Sequence, residues 1–197
     1  FVGGVGSGKT FAGVLNILMM PAGTTGMVVA PTYPMLRDAT QQAFFDVCPP
    51  QLIASHNKHE QRTTLHTGTT ILWRSADRPH NLRGPNIGWL YVDEGAYITE
   101  AAWKVLIARL RRRPAKAWIT TTANGHNWLY RWCCVLQLGY SLPHANTTDN
   151  PFNAPGFAQQ LARQYADDPA YLAQEMEGAF VDLSGSKRIP GPLLSQV

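Results

Sequence analysis

The chain has 197 residues, of which 45% are hydrophobic and 15% are charged. This balance is typical of one globular domain and excludes an intrinsically disordered chain. The formal net charge of +4 favours polyanionic partners without identifying one. The three cysteines, Cys48, Cys133 and Cys134, form no spaced framework, and no apolar stretch reaches the roughly 20 residues that cross a bilayer. We therefore expect a soluble cytoplasmic protein with reduced thiols.

The predicted elements alternate between strands and helices. In the first half they are a strand ending at Gly3, a helix Lys9–Met20, a strand Met27–Ala30, a helix Met35–Val47 and two β-rich runs, Thr63–His66 and Thr70–Arg74. The short turn between these two runs predicts an antiparallel hairpin beside the main sheet. In the second half they are strand Trp89–Val92, helix Glu100–Arg111, strand Ala117–Thr121, helix Trp128–Leu138, strand Tyr140–Ala145, helices Gly156–Tyr165 and Pro169–Glu177, and strand Ala179–Asp182. This order predicts an α/β fold whose mostly parallel sheet is sandwiched by helices.

Both ends of the chain suggest a larger protein. Phe1 and Val2 read as the last residues of a buried strand, so we expect the natural protein to begin upstream. Gly185, Pro190 and Gly191 interrupt the helical and strand patterns near the other end. We predict that residues 1–183 form one domain and that residues 184–197 are a linker toward a further domain.

The first motif follows the first strand directly. It reads Gly3-Gly4-Val5-Gly6-Ser7-Gly8-Lys9-Thr10 and matches the phosphate-binding loop G-x-x-x-x-G-K-[ST] between a strand and a helix. The glycines let backbone N–H groups approach phosphate oxygens, and the helix beginning at Lys9 adds the positive end of its dipole. Lys9 can contact the β- and γ-phosphates, while the Thr10 hydroxyl can bind Mg²⁺. The motif predicts binding of a nucleoside triphosphate, foremost ATP, together with Mg²⁺.

A pair of carboxylates ends the apolar strand Trp89–Val92. Asp93 is predicted to bind the Mg²⁺ shell, and Glu94, which strand alternation would point the other way, is predicted to polarise the attacking water. A glutamate directly after the metal-binding aspartate separates hydrolysing motors from nucleotide kinases and small GTPases. The two motifs together therefore favour a P-loop ATPase of the additional-strand, catalytic-glutamate class.

The strand that begins at Ala117 becomes polar at its carboxyl end, where ligands of open α/β sheets bind. Thr121, Thr122 and Asn124 are candidates for sensing the γ-phosphate. The alternative is a β-rich strand followed by an ordinary Asn-Gly turn at Asn124-Gly125.

Basic residues form two further groups. One group surrounds the end of the helix after Glu94 and comprises Arg109, Arg111, Arg112, Arg113 and Lys116. It can contact nucleic-acid phosphates or an acidic partner, or simply stabilise the helix dipole. The other group is Arg74, Arg78 and Arg83, of which Arg83 is the first candidate to reach the γ-phosphate of a neighbouring subunit. The alternative for each is a surface arginine.

Taken in order, the motifs resemble the ATPase domain of tailed-bacteriophage terminase large subunits. Besides the two nucleotide motifs, the resemblance rests on Thr32-Tyr33-Pro34, Leu36-Arg37-Asp38, Leu82-Arg83-Gly84, Thr120 to Gly125, Asn127 to Tyr130, Thr148-Asp149-Asn150-Pro151 and Gly178 to Asp182. Val5 departs from many terminases, which carry arginine at this loop position.

The resemblance implies ATP hydrolysis that powers packaging of double-stranded DNA into a viral procapsid. It also implies a homo-oligomeric ring, partners in the viral portal and the small terminase subunit, and action in the host cytoplasm. Nuclease activity is not expected from this chain, since it lacks a carboxylate cluster besides the ATP site. Two alternatives remain open: a helicase or other nucleic-acid translocase, and a nucleotide-binding scaffold with little turnover.

Overall fold

The computed structural model describes residues 1–135 and 139–182, and it contains a central sheet with helices on both faces. The strands are β1 (Val2–Gly3), β2 (Thr25–Ala30), β3 (Ile53–Asn57), β4 (Arg62–Leu65), β5 (Thr70–Ser75), β6 (Trp89–Asp93), β7 (Lys116–Thr120) and β8 (His144–Ala145). Six of them run in the order β3-β4-β5-β2-β6-β7. Strands β2, β5, β6 and β7 are parallel, whereas β4 is antiparallel to both β3 and β5.

The two-residue strand β1 continues this sheet beyond β7. Val2 forms a parallel bridge with Thr121, the Gly3 N–H donates to the Thr121 carbonyl at 3.1 Å, and β1 pairs on its other side with β8. Strand β7 thus lies between β6 and β1. Because these three strands are parallel, their carboxyl ends meet at one edge of the sheet. The strand inserted between the two motif-bearing strands confirms the predicted fold class.

The helices connect the strands over both faces of the sheet. They are α1 (Lys9–Leu18), α2 (Tyr33–Met35), which runs through a π-helical stretch (Leu36–Gln41) into α3 (Gln42–Val47), α4 (Glu100–Ile107), α5 (Trp128–Tyr130), which continues as a π-helical stretch (Arg131–Val135), α6 (Phe157–Gln164) and α7 (Pro169–Glu177). Short 3₁₀ turns lie at Pro50–Leu52, Pro79–Leu82, Gly95–Tyr97 and Thr147–Asp149. None of the helices in the described ranges is long and apolar enough to cross a lipid bilayer.

Alternating residues of the sheet fill two hydrophobic cores, one on each face. Val28, Trp89 and Tyr91 point into the core under α1 and α3, whereas Leu90 and Val92 point into the core under α4. All five of these side chains are fully buried. The central strands are therefore held rigidly, and the residues at their carboxyl ends have fixed positions.

Helix α1 lies close to the sheet because residue 13 is glycine. A Cβ atom on Gly13 would lie 2.3 Å from the Tyr91 hydroxyl oxygen, which is inside van der Waals contact. The Trp118 indole N–H donates to the Gly13 carbonyl at 3.0 Å and joins the helix to β7. This contact sets the position of the helix that begins at Lys9.

Several predicted boundaries were wrong. The predicted hairpin is part of a larger antiparallel unit, because β3 pairs with β4 and was not predicted. The predicted strand Tyr140–Ala145 is reduced to His144–Ala145, and the helix predicted to reach Arg111 ends at Ile107. The predicted helix Trp128–Leu138 is helical to Val135, and its last three residues lie outside the described ranges.

The predicted strand Ala179–Asp182 is also wrong, since these residues form no strand. Gly178 ends α7 in a left-handed conformation with φ 66°, and the Ala179 N–H donates to the Ala173 carbonyl at 3.3 Å. The Ala179 amide thus completes the end of the helix rather than a strand ladder. The predicted linker, residues 184–197, lies outside the described residues.

Candidate active site

The glycine-rich loop between β1 and α1 has the backbone conformation that its sequence requires. Gly6 and Gly8 have φ values of 73° and 84°, in the left-handed region that side chains with a Cβ atom avoid. A short turn is closed by the Ser7 N–H, which donates to the Gly4 carbonyl at 3.2 Å. The Ser7 hydroxyl is buried and has no hydrogen-bond partner among the described residues.

The two residues after the glycines connect this loop to the end of β6. Lys9 is buried, and its Nζ lies 3.4 Å from the Gly4 carbonyl and 3.9 Å from Glu94 Oε1. The Thr10 hydroxyl donates to Asp93 Oδ1 at 3.3 Å. The structure therefore brings together the four residues that the two motifs singled out.

Asp93 is buried at the end of β6 and accepts hydrogen bonds on both carboxylate oxygens. Thr120 donates to Oδ1 at 2.6 Å, the Glu94 N–H donates to the same atom at 3.2 Å, and Thr40 donates to Oδ2 at 2.8 Å. Sequence reasoning missed Thr40 and Thr120. Thr40 carries no local motif and lies 53 residues from Asp93, so only the fold reveals the contact.

Glu94 lies just beyond β6, with a left-handed φ of 52°. Because Glu94 is not part of the strand, the alternation of side chains along β6 does not determine the direction of its carboxylate, contrary to the prediction from sequence. Its carboxylate lies beside Lys9, and its Oε2 is 3.5 Å from both the Thr121 hydroxyl and the Thr122 N–H. Burial raises the pKa of the Glu94 carboxyl, an effect that Lys9 opposes and Asp93 reinforces.

The polar residues after β7 contribute unequally. Thr121 is fully buried; its hydroxyl accepts from the Ala96 N–H at 3.1 Å and donates to the Thr122 carbonyl at 2.7 Å. Thr121 and Thr122 thus border Glu94, in agreement with their predicted place near the site. Asn124 is half-buried, and no hydrogen bond joins its side chain to the loop or to the carboxylates within the described residues.

A later segment of the chain holds the glycine-rich loop from behind. The Val5 N–H donates to the Glu175 carbonyl in α7 at 2.7 Å. The Thr147 hydroxyl donates to the Val5 carbonyl, and the Asn150 side-chain amide donates to the Gly6 carbonyl, both at 2.7 Å. Sequence reasoning noted Asn150 only as part of a resemblance. The structure gives that asparagine a physical task in fixing the loop.

The candidate arginines are not placed alike. Arg74 is half-buried and donates to the carbonyls of Glu60, Gln61 and Trp73, and burial lowers its pKa. Its guanidinium is thus engaged within its own chain. Arg78 and Arg83 are exposed, and neither contacts the nucleotide motifs within the part of the chain that the structure describes.

Comparisons of sequence with known proteins agree with this arrangement. The PBSX phage terminase large subunit of Bacillus subtilis strain 168 is 29% identical over 140 residues, which cover 66% of this chain and 32% of that protein. The terminase large subunit of Thermus phage G20c is 40% identical over 60 residues, or 30% of this chain and 12% of that protein. The chain thus spans about a third of the length of the first of these relatives.

Solved structures share the fold. The large terminase of a thermophilic bacteriophage superposes with a TM-score of 0.81 at 15% identity, covering 91% of this chain and 47% of that chain. The large terminase ATPase domain of Thermus phage P74-26 superposes with a TM-score of 0.63 at 21% identity, covering 91% of this chain and 87% of that chain.

The model of one protein family matches almost the whole chain. It is described as "terminase large subunit, T4likevirus-type, N-terminal", and it matches residues 1–195. The order of motifs, the inserted strand and the convergence of Lys9, Thr10, Asp93 and Glu94 are consistent with that match. The chain belongs to the family of terminase large subunit N-terminal domains.

Proposed function

We propose that this chain binds ATP with Mg²⁺ and hydrolyses the γ-phosphate, and that the hydrolysis drives packaging of double-stranded DNA into a viral procapsid. The observation that carries the proposal is the meeting of a phosphate loop with two carboxylates. Thr10 lies 3.3 Å from Asp93, and Lys9 lies 3.9 Å from Glu94. Membership in the terminase family supports ATP as the nucleotide, as does a large terminase of a thermophilic bacteriophage that was crystallised with ADP and with ATP-γ-S.

The residues present fit a nucleotide and its metal ion. The buried Ser7 hydroxyl lacks a partner among the described residues, and a Cβ atom on Gly8 would have no neighbour within 4 Å, so the loop retains donor capacity and space. The Thr10 hydroxyl and the Asp93 carboxylate are the oxygen ligands that Mg²⁺ prefers, and they would hold it. A bound Mg²⁺ would neutralise charge on the β- and γ-phosphate oxygens.

Each residue of the site would have a separate role in hydrolysis, which depends on where it lies. Lys9 would neutralise charge on the phosphates, and the amides of residues 3–8 would bind their oxygens. Glu94 would orient the attacking water and accept its proton as the bond between the γ-phosphorus and the β–γ bridging oxygen breaks, giving ADP and phosphate. Burial raises the pKa of Glu94, which makes its carboxylate a stronger proton acceptor. Thr121 and Thr122, beside Glu94, would respond to the loss of the γ-phosphate.

The wider setting follows from the family. We propose that the protein acts in the host cytoplasm as a homo-oligomeric ring on double-stranded DNA, with the viral portal and the small terminase subunit as partners. Arg83 would supply a cation to the site of a neighbouring subunit.

Two substitutions test the ATPase proposal. Lys9→Ala should abolish nucleotide binding or turnover, because phosphate charge would lie unneutralised in the loop. Glu94→Gln should retain ATP binding and lower turnover by orders of magnitude, since the amide cannot accept the proton of water. Phosphate release and binding of a fluorescent ATP analogue measure the two steps.

Lys58→Ala, which removes an exposed lysine from the turn between β3 and β4, is the matched control and should behave as wild type. Wild-type phosphate release by Lys9→Ala would refute the phosphate-loop assignment. Loss of binding in Glu94→Gln together with loss of turnover would make Glu94 a metal ligand or a structural residue.

A further inference from the structure

The loop between α4 and β7 carries a concentration of exposed positive charge. We call residues 108–116 the basic loop; Arg111, Arg112, Arg113 and Lys116 in it are exposed. None of these four side chains forms an ion pair within the described ranges, 1–135 and 139–182. The loop leads into the amino end of β7, so it lies at the edge of the sheet opposite Asp93.

The segments beside the basic loop contain no carboxylate. The loop contacts residues 84–88 through Ile87 and Gly88, and the Gly88 N–H donates to the Thr25 carbonyl at 2.7 Å. The turn at residues 21–24 directly precedes Thr25. This turn contacts the turn at residues 66–69, because the Gly23 N–H donates to the Thr67 carbonyl at 3.0 Å. Residues 20–25, 66–69, 84–88 and 108–116 include neither Asp nor Glu. The positive charge is therefore not neutralised locally.

The backbone of the basic loop is fixed by hydrogen bonds to residues 87 and 88. The Ile87 N–H donates to the Arg109 carbonyl at 2.9 Å, the Arg112 N–H donates to the Ile87 carbonyl at 3.1 Å, and the Lys116 N–H donates to the Gly88 carbonyl at 3.1 Å. A Cβ atom on Gly88 would lie 2.4 Å from the Arg113 carbonyl oxygen, so the loop packs directly on the glycine backbone. Fixed backbone lowers the entropic cost of placing the guanidinium groups on a ligand.

Only some of these cations stabilise the carboxyl end of α4. Helix α4 ends at Ile107, and the Arg111 Nε donates to the Ala108 carbonyl at 3.0 Å, as expected of a cation at a helix carboxyl end. Lys116 Nζ lies 6.0 Å from the centre of the Trp118 ring. Arg112 and Arg113 have no side-chain contact of either kind among the described residues. Within residues 1–135 and 139–182, their exposure therefore serves no interaction of the fold.

The chemistry of the surface favours phosphates over an acidic protein. Stable protein interfaces have an apolar or aromatic centre, yet residues 19–25, 66–69, 84–88 and 108–116, all of them described, include a single exposed large hydrophobic side chain, Met19. Arginine binds phosphate oxygens through paired N–H donors and needs no apolar surroundings. We propose that the basic loop, chiefly through Arg112 and Arg113, binds the phosphate backbone of double-stranded DNA without reading its sequence. This inference rests on the proposed packaging function.

The test measures DNA affinity as a function of salt. Arg112→Gln/Arg113→Gln and wild-type protein are titrated against a generic 30-base-pair fluorescent duplex over a series of salt concentrations. Each lost phosphate contact lowers the magnitude of the slope of log K against log salt by about 0.9 for B-form DNA, so the double variant should lose about 1 to 2 in slope and bind more weakly. Lys58→Gln/Arg163→Gln removes the same charge from exposed sites elsewhere and should leave the slope unchanged.

ATP hydrolysis without DNA is measured on the same preparations and should be equal in all of them. An unchanged slope and affinity in Arg112→Gln/Arg113→Gln would overturn the inference and assign the loop to an acidic protein or to bare surface, while the ATPase proposal would stand. An equal loss in the control double variant would show a net-charge effect and would also overturn it. Absence of hydrolysis in the wild-type protein would instead count against the proposed function.

Discussion

Asp93 is the residue at which the hydrogen bonds of the site converge. Its two oxygens accept from three hydroxyl groups, those of Thr10, Thr40 and Thr120, and from one backbone amide. A buried carboxylate is costly unless such donors compensate for the lost water. The hydroxyl groups of the three threonines therefore orient the carboxylate before a metal ion binds.

Thr40→Val removes one of these donors and leaves Asp93 Oδ2 in the protein interior without its hydroxyl partner. Hydrogen bonds to charged groups contribute about 1.5–3 kcal/mol, so the free energy of unfolding should fall by about that amount. Denaturant unfolding of the two proteins measures the difference. Thr40→Ser retains the hydroxyl and should recover most of the lost stability. Equal destabilisation by Ser and Val would mean that the Thr40 methyl group, not its hydroxyl, is what matters.

At this scale, sequence reasoning succeeds where the signal is local. Lys9, Thr10, Asp93 and Glu94 belong to short motifs adjoining a strand, and the structure brings them together as predicted. Thr40 could not be found in this way. Its partner is 53 residues away, and a threonine inside a helical pattern has no distinguishing neighbour. The contact depends on how α2, the π-helical stretch and β6 pack.

Among the secondary-structure elements, α7 determines how much room the phosphate loop has. The Glu175 carbonyl accepts from Val5, and a Cβ atom on Gly4 would lie 2.1 Å from the Met176 carbonyl oxygen and 2.4 Å from the Thr147 hydroxyl oxygen. Moving the backbone of a helix to make room for a side chain would lower the stability of the fold. The absence of a side chain at Gly4 is therefore a requirement of packing against α7, separate from any need to approach phosphate.

Gly4→Ala should separate α7 from the loop and weaken nucleotide binding at least about tenfold, with a loss of stability of about 1–3 kcal/mol from overpacking. Titration of a fluorescent ATP analogue and denaturant unfolding check the two effects. Gly23→Ala is the control. It introduces a methyl group into an open turn at φ 72°, where nothing lies within 4 Å, so it should cost stability through backbone strain alone. Wild-type affinity in Gly4→Ala would disprove the contact's importance.

The elements also show why part of the fold escaped sequence reasoning. The predicted ends of the parallel strands β2, β5, β6 and β7 lie within two residues of those observed, whereas the parallel strand β8 is four residues shorter than predicted. Strand β3 reads Ile-Ala-Ser-His-Asn, which lacks a hydrophobic alternation, and it is a strand because it pairs with β4. Residues 179–182 have a sequence pattern typical of a strand but form none. The Ala179 N–H, which a strand ladder would need, donates to the Ala173 carbonyl in α7 instead.

For the molecule as a whole, the two proposed binding surfaces lie at opposite edges of the sheet. The nucleotide motifs lie at the carboxyl ends of β1, β6 and β7, and the basic loop lies at the amino end of β7. Strand β7 thus runs from Lys116 in the basic loop to Thr120, which contacts Asp93. A nucleotide-dependent shift of this one strand would reach both edges.

A prediction at the scale of the assembly concerns Arg83, which is exposed and forms no hydrogen bond or ion pair with the nucleotide motifs within the described residues. An arginine delivered by a neighbouring subunit can raise turnover by roughly 10³ to 10⁵. Arg83→Ala and Glu94→Gln proteins should therefore each be nearly inactive, and mixing them under assembling conditions should restore part of the phosphate release. The restored sites pair an intact Glu94 with an intact Arg83 from the adjacent subunit.

Arg163→Ala in place of Arg83→Ala is the control for this mixture, because it removes an exposed arginine from α6 and should be active without a partner. If the Arg83→Ala and Glu94→Gln proteins co-assemble yet stay inactive at every ratio, Arg83 acts within its own subunit or is structural.

Residues late in the sequence hold the phosphate loop in place. This affects when, during synthesis, the loop can reach its final structure. The partners of Val5 and Gly6 lie 142 and 144 residues later, at Thr147 and Asn150, and the Glu175 carbonyl comes later still. During synthesis, the loop leaves the ribosome long before these residues exist. Contacts of such sequence separation form slowly, because a long segment of chain must first be closed. The nascent protein should therefore acquire affinity for nucleotide only after α7 has emerged, so an unfinished chain would not bind ATP prematurely.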